Sequence, residues 1–242
     1  QAPLTLGHGV GGLLLAVVVW FMTGDPLKAL GVFLQAGRPP AMQNADVDRP
    51  LSPEEEELAR FVRIVLKDTE DVWNDVFNSM GSRYEEPKLV LFSGRVSSAC
   101  GNATAAVGPF YCPGDHKVYL DLAFYDQMKR QFKSPGDFAQ AYVVAHEVGH
   151  HVQNLLGILP KAQAQQRQLG GDRAGANRIQ VRVELQADCF AGIWANKAEQ
   201  RWKFMDPGDI DAALQTASAI GDDMLQRKAQ GRVVPDSFTH GS

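Results

Sequence analysis

Apolar and polar residues recur along this chain with two periods, and the change from one to the other divides it into elements. From Leu4 to Thr23 no Asp, Glu, Lys or Arg interrupts the chain. A helix of about twenty residues spans roughly 30 Å of hydrocarbon, so this stretch predicts one transmembrane helix over 4–23. Trp20 and Phe21 suit an interfacial aromatic belt at its far end, and the cluster Gly7, Gly9, Gly11 and Gly12 is tolerated in membrane helices. Residues 24–51 carry Gly37, Pro39, Pro40 and Pro50 among polar neighbours and read as a linker. A globular domain is expected over 52–242.

That domain opens with Ser52, Pro53 and Glu55, an N-cap, a first-turn proline and a capping-box acid. The apolar set from Leu58 to Phe77 follows a helical period, and Gly81 stops it. Lys88 to Phe92, Phe110 to Cys112 and Lys117 to Asp121 are short, rich in Val, Leu, Phe and Tyr, and separated by turn residues. They predict a small sheet. Helix signals dominate afterwards: Ser134, Pro135 and Asp137 open one helix that Gly157 closes, Asn177 opens a second, and Asp206, Pro207 and Asp209 open a third. The Gln- and Gly-rich stretch from Ala162 to Ala176 reads as an exposed loop.

Composition narrows the function classes. The 24 Lys and Arg stand against 28 Asp and Glu in 242 residues, a formal charge of −4, which argues against a global nucleic-acid binder. The 3 Cys include no Cys-x-x-Cys pair, so a metal site must come mainly from His and carboxylates.

The sequence His146-Glu147-Val148-Gly149-His150 lies inside the helix that closes at Gly157. A spacing of four puts both imidazoles on one helical face, where both can reach a single Zn2+. Glu147 then stands beside the metal, able to take a proton from zinc-bound water and pass it to a leaving amine. His151 lies about 100° around the helix from His150 and is expected to pack or to hydrogen-bond rather than to share the metal. A catalytic zinc usually takes three protein ligands. Glu184 and Asp188, again four apart, supply the expected third ligand and an acceptor for the free ring nitrogen of a metal-bound His, His146 by preference. Cys189 follows on a helix with many apolar residues and is expected to pack as a small hydrophobe.

Four motifs together resemble the bacterial family called putative neutral zinc metallopeptidase. They are His-Glu-Val-Gly-His-His-Val-Gln-Asn from His146, Glu-Leu-Gln-Ala-Asp-Cys-Phe-Ala-Gly from Glu184, Gly-Pro-Phe-Tyr-Cys-Pro from Gly108 and Phe-Thr-His-Gly from Phe238. The resemblance implies a gluzincin-like α+β fold, mainly helical, with an active-site helix, a Glu-bearing second helix and a small antiparallel sheet, preceded by the transmembrane helix. It implies a zinc-dependent peptidase. Cleavage also needs a donor for the oxyanion on the scissile carbonyl, for which His240 is preferred over Tyr142 and Tyr111. A catalytic domain outside the cytoplasm, periplasmic or extracellular, lies in an oxidising compartment, where Cys100 and Cys112 are expected to form a disulfide. The expected partners are a protein or peptide substrate, laid by family analogy as a strand along the sheet, and the membrane through 4–23. Two other readings remain: a non-catalytic zinc-fold scaffold for partner binding, for which Glu147 has no use, and hydrolysis of a cell-wall amide, which shares the carbonyl chemistry.

Overall fold

The computed structural model describes residues 50–104, 108–125, 128 and 136–220. The span expected over 4–23 lies outside them, and so does nearly all of the linker. No helix among the described residues is long and apolar enough to cross a membrane.

The first helix, α1 (Pro53–Ser79), starts where its capping box predicts. Glu55 N–H donates to Ser52 Oγ at 3.2 Å, and Ser52 N–H donates to Glu55 Oε2 at 2.8 Å. Its buried stripe of Ala59, Val62, Val65, Leu66, Thr69, Val72, Trp73 and Phe77 keeps the helical period and turns inward. One carboxylate on this helix ties it to a distant element: Asp68 accepts from the indole N–H groups of Trp194 and Trp202, each at 2.7 Å.

The strands are β1 (Lys88–Phe92), β2 (Arg95–Ser98), β3 (Gly101–Thr104), β4 (Phe110–Cys112) and β5 (Lys117–Asp121). β1, β4 and β5 form one sheet in the order β1-β5-β4. It is mixed, where an antiparallel sheet was expected: β5 runs antiparallel to β4 but parallel to β1, with Lys88 opposite Lys117. The physical reason is connectivity. A short turn reverses the chain between β4 and β5, whereas β1 reaches β5 only after the β2–β3 hairpin and β4, which leaves its direction unconstrained by any tight turn. The hairpin itself is an addition to the expected elements. Its residues are largely polar, with Val96 and Ala103 buried, and side-chain bonds from Ser97 to Asn102 (2.9 Å) and from Ser98 to the Gly101 carbonyl (2.9 Å) support it. A disulfide joins Cys100, in the turn between β2 and β3, to Cys112 of β4, Cα to Cα 5.8 Å.

Four further helices follow: α2 (Asp137–Leu155), α3 (Ile158–Gln168), α4 (Arg173–Trp202) and α5 (Asp209–Ile220). Two helix starts and one expected loop differ from the sequence reading. Gly136 caps α2, while Ser134 and Pro135 lie outside the described residues. Asp172, not Asn177, caps α4, accepting from Gly175 N–H at 2.9 Å. The stretch expected as a loop from Ala162 to Ala176 is mostly helical, because Gln and Ala are good helix formers and Leu159 and Ala162 bury a narrow face of α3. α2 is the centre of the fold, with Val144, Val148 and Val152 fully buried and helices α1, α4 and α5 packed around it.

Candidate metal centre

The two helices that carry the predicted ligands approach unusually closely, and one glycine permits it. A Cβ built on Gly149 would lie 2.9 Å from the carbonyl oxygen and 3.1 Å from the Cα of Ala187, closer than side chains tolerate. The missing methyl group therefore lets α2 lie directly against α4, which brings the His146 and His150 face opposite Glu184.

The ligand atoms converge. Glu184 Oε2 lies 3.3 Å from Nε2 of His146 and 3.3 Å from Nε2 of His150, and one ligand atom from each residue falls within 4.8 Å of the others. Each imidazole is oriented from behind. His146 Nδ1–H donates to Asp188 Oδ1 at 2.8 Å, and the Tyr142 hydroxyl donates to the same oxygen. His150 Nδ1 lies 2.9 Å from Gln153 Oε1. The amide of Gln153 is itself fixed, because its Nε2 donates to the Val183 carbonyl at 2.7 Å and to Gln186 Oε1 at 3.0 Å, so His150 must be the donor. Gln180 Nε2 donates to Glu184 Oε1 at 2.7 Å, and Gln180 Oε1 accepts from Gln166 of α3 at 3.2 Å.

With both Nδ1 atoms committed as donors, three acceptors face one point, and positive charge must sit there. Without a metal that charge is protons. Burial opposes ionisation of His146, but Asp188 and Glu184 outweigh it and push the imidazole up to about 10. His150 is raised in the same way, against burial, by Glu184. Burial would raise the Glu184 carboxyl, yet its hydrogen bonds with His146 and His150 hold it well below the usual carboxylate range. Two imidazoles and one carboxylate, each anchored from behind, fit the donor set of a catalytic zinc. Glu147 is buried and lines a cleft of about 210 Å³ together with His150 and Glu184.

His151 points the other way. Its Nε2–H donates to the Glu85 carbonyl at 2.6 Å, so Nδ1 accepts from the Tyr111 hydroxyl at 3.0 Å. Tyr111 in turn accepts from Asn154 Nδ2 at 3.1 Å. Burial lowers the His151 imidazole and raises the Tyr111 phenol to about 12, so both stay neutral. Tyr111 and Tyr142 therefore have their protons engaged within the protein, and His240 lies outside the described residues. Cys189 departs from expectation. It is exposed, as is Leu185, because both sit on the side of α4 turned away from α2. Gln153, Gln180 and Gly149 were not singled out from the sequence. Gln153 three residues after His150, and Gln180 four before Glu184, were spacings that could have marked them.

A family model described as "Putative neutral zinc metallopeptidase" matches residues 2–242. The Escherichia coli K12 protein YpfJ, named as uncharacterized, is 49% identical over 237 residues, which cover 98% of this chain and 80% of YpfJ. Rv2575 of Mycobacterium tuberculosis H37Rv, also named as uncharacterized, is 43% identical over 193 residues, which cover 76% of this chain and 64% of that protein. No solved structure matches. Zinc is the metal in the family's description, and among the described residues His146, His150 and Glu184 form a group that could hold it. On a match that spans almost its whole length, the chain belongs to the putative neutral zinc metallopeptidase family.

Proposed function

We propose that the protein is a zinc-dependent endopeptidase, held to a membrane by a helix over 4–23 with its catalytic domain in the periplasm or outside the cell. The observation that carries this reading is the carboxylate of Glu147 in the same cleft as the converging ligand atoms of His150 and Glu184. Zinc held by His146, His150 and Glu184 would polarise the peptide carbonyl and make water a nucleophile near neutral pH. Glu147 takes the proton from the attacking water and delivers it to the departing amine nitrogen. Asp188 and Gln153 keep both imidazoles oriented throughout. A scaffold would need the ligands but not Glu147. The Cys100–Cys112 bond supports an oxidising compartment.

The test is metal content together with turnover. About one zinc per chain, sharply reduced in Glu184→Ala, and hydrolysis of protein substrates that Glu147→Gln loses by about 100-fold or more while keeping its zinc, are the expected results. Turnover unchanged in Glu147→Gln would refute the mechanism.

A further inference from the structure

The hairpin formed by α3 and the first turns of α4 carries a charge opposite in sign to the rest of the chain. Residues 158–183 hold five basic residues, Lys161, Arg167, Arg173, Arg178 and Arg182, against one acidic residue, Asp172, a net of +4. The remainder has 19 basic and 27 acidic residues, a net of −8. All five cations are exposed, and none of them is in an ion pair among the described residues. Asp172 is occupied in capping α4, where it accepts from Gly175 N–H at 2.9 Å. Position on the helices separates this charge from the reaction centre. Gln166 of α3 bonds to the Ala176 carbonyl and to Gln180 of α4, and Leu159, Ala162, Gln166, Gln180 and Val183 all line the cleft. At about 100° per residue, Lys161, Arg178 and Arg182 lie about 150° or more around their helices from that lining. Arg167 and Arg173 flank the turn, with the exposed Leu169 between them, and the exposed Leu185 and Cys189 continue the outward stripe begun by Arg178 and Arg182.

We propose that this outward face of the hairpin docks on an anionic phospholipid surface and so turns the cleft away from the bilayer, towards chains in the aqueous space. The inference rests on the membrane reading above for its partner, and on the charge pattern for its site. Arginines meet headgroup phosphates, while Leu169 and Leu185 supply apolar groups for the acyl boundary. A nucleic acid fits the face less well, because residues 158–183 contain no Phe, Tyr, Trp or His on which bases could stack. The net −8 of the remainder is repelled by the same surface, so the attraction orients the domain as well as holding it. Each cation brought to an anionic surface multiplies affinity roughly fivefold, an effect that fades within a screening length. A flexible linker over 24–51 would keep the domain within roughly 30 Å of the lipid, where an attraction of that size suffices.

The experiment uses the full chain with vesicles of phosphatidylcholine, alone or with an equal part of phosphatidylglycerol. With Cys100 and Cys112 bonded to each other, Cys189 is the one thiol of the three cysteines left to take a fluorophore, and it lies on the face in question. A quencher attached to the lipid headgroups reports how often that face touches the surface. Quenching should be strong on phosphatidylglycerol vesicles, weak on phosphatidylcholine alone, and lost as salt rises to 1 M, where the screening length is about 3 Å. Arg178→Gln with Arg182→Gln should lower the ratio of docked to undocked domain at least tenfold. Arg60→Gln with Arg63→Gln, at exposed positions of α1, removes the same charge elsewhere and should leave that ratio unchanged. Equal quenching on both vesicles, or an equal loss in both double variants, would overturn the proposal. So would single-stranded DNA binding the labelled face more tightly than the anionic vesicles do. Release of the chain from phosphatidylcholine vesicles at 1 M salt would instead remove the span over 4–23, and salt-sensitive quenching on the anionic vesicles would still support the hairpin face.

Discussion

Replacing Gly149 by alanine adds one methyl group at the contact between α2 and α4. In an exposed helix the change stabilises, by up to about 1 kcal/mol, because glycine is the poorer helix former. Here the new Cβ meets the Ala187 carbonyl oxygen at 2.9 Å, about half an ångström inside the 3.4 Å at which ordinary contact begins. The obstacle is backbone, which cannot rotate away as a side chain does, so α4 must shift at the turn that carries Glu184. Overpacking of this kind costs about 1–3 kcal/mol, leaving a net loss of about 0–2 kcal/mol. The ligands are hit harder than the fold, since metal sites tolerate only about 0.2 Å in ligand distance. Zinc affinity, measured by competition with a chromophoric chelator, should fall at least tenfold while the circular dichroism spectrum stays that of the parent. Gly192→Ala on α4, where nothing lies within 4 Å of the added Cβ, is the matched control and should bind zinc normally with a slightly raised melting temperature. Parent-like zinc affinity in both variants would refute the close-approach argument.

Gln153→Ala removes the acceptor behind His150 and should weaken zinc binding by about 10- to 100-fold, read by the same competition; an unchanged affinity would show that Gln153 does not orient the imidazole. The pH dependence has a definite sign. In the metal-free protein His146 is raised from its ordinary value near 6.5 to about 10, so its stabilising contribution is full below 6.5 and lost as pH rises towards 10. Zinc replaces those protons, so its apparent affinity should rise over the same window, and binding near neutral pH should release about one proton or more. Calorimetry in two buffers of different ionisation heat measures that release, and identical heats would contradict it. Cys100→Ser opens a link between residues 12 apart in sequence and should lower unfolding stability by about 2–3 kcal/mol in chemical denaturation. Equal stability in variant and parent would count against the bond.

The candidate site was more legible in the sequence than the architecture around it. Spacing of four on a helix is a statement about geometry, and it carried His146 with His150, and Glu184 with Asp188, into place without any tertiary information. β1, β4 and β5 announced themselves by β-branched and aromatic residues. What stayed hidden was written in residues with weak local signatures. The β2–β3 hairpin is Ser-, Asn- and Gly-rich and depends on side-chain bonds of its own, and α3 is built from glutamines whose polarity resembles that of a loop. Cys189 is expected to pack because the residues around it are apolar, yet it sits about 100° from Asp188, on the side turned to water. Sheet direction was unreadable because it follows from the path of the chain between β1 and β5.

The adjacent histidines on α2 do opposite things, and their pairing bears on how the centre behaves over time. His150 faces the ligand cluster, while His151 is clamped between the Glu85 carbonyl and Tyr111, which fixes how far the helix can roll about its axis. That clamp is made entirely of protein groups and does not depend on a cation. The coordinating face is consequently held ready whether filled or empty, and stripping and reloading the ion becomes an exchange reaction rather than a refolding event. On the proposed function, the supply of metal would then set how many molecules are loaded without unfolding those that are empty.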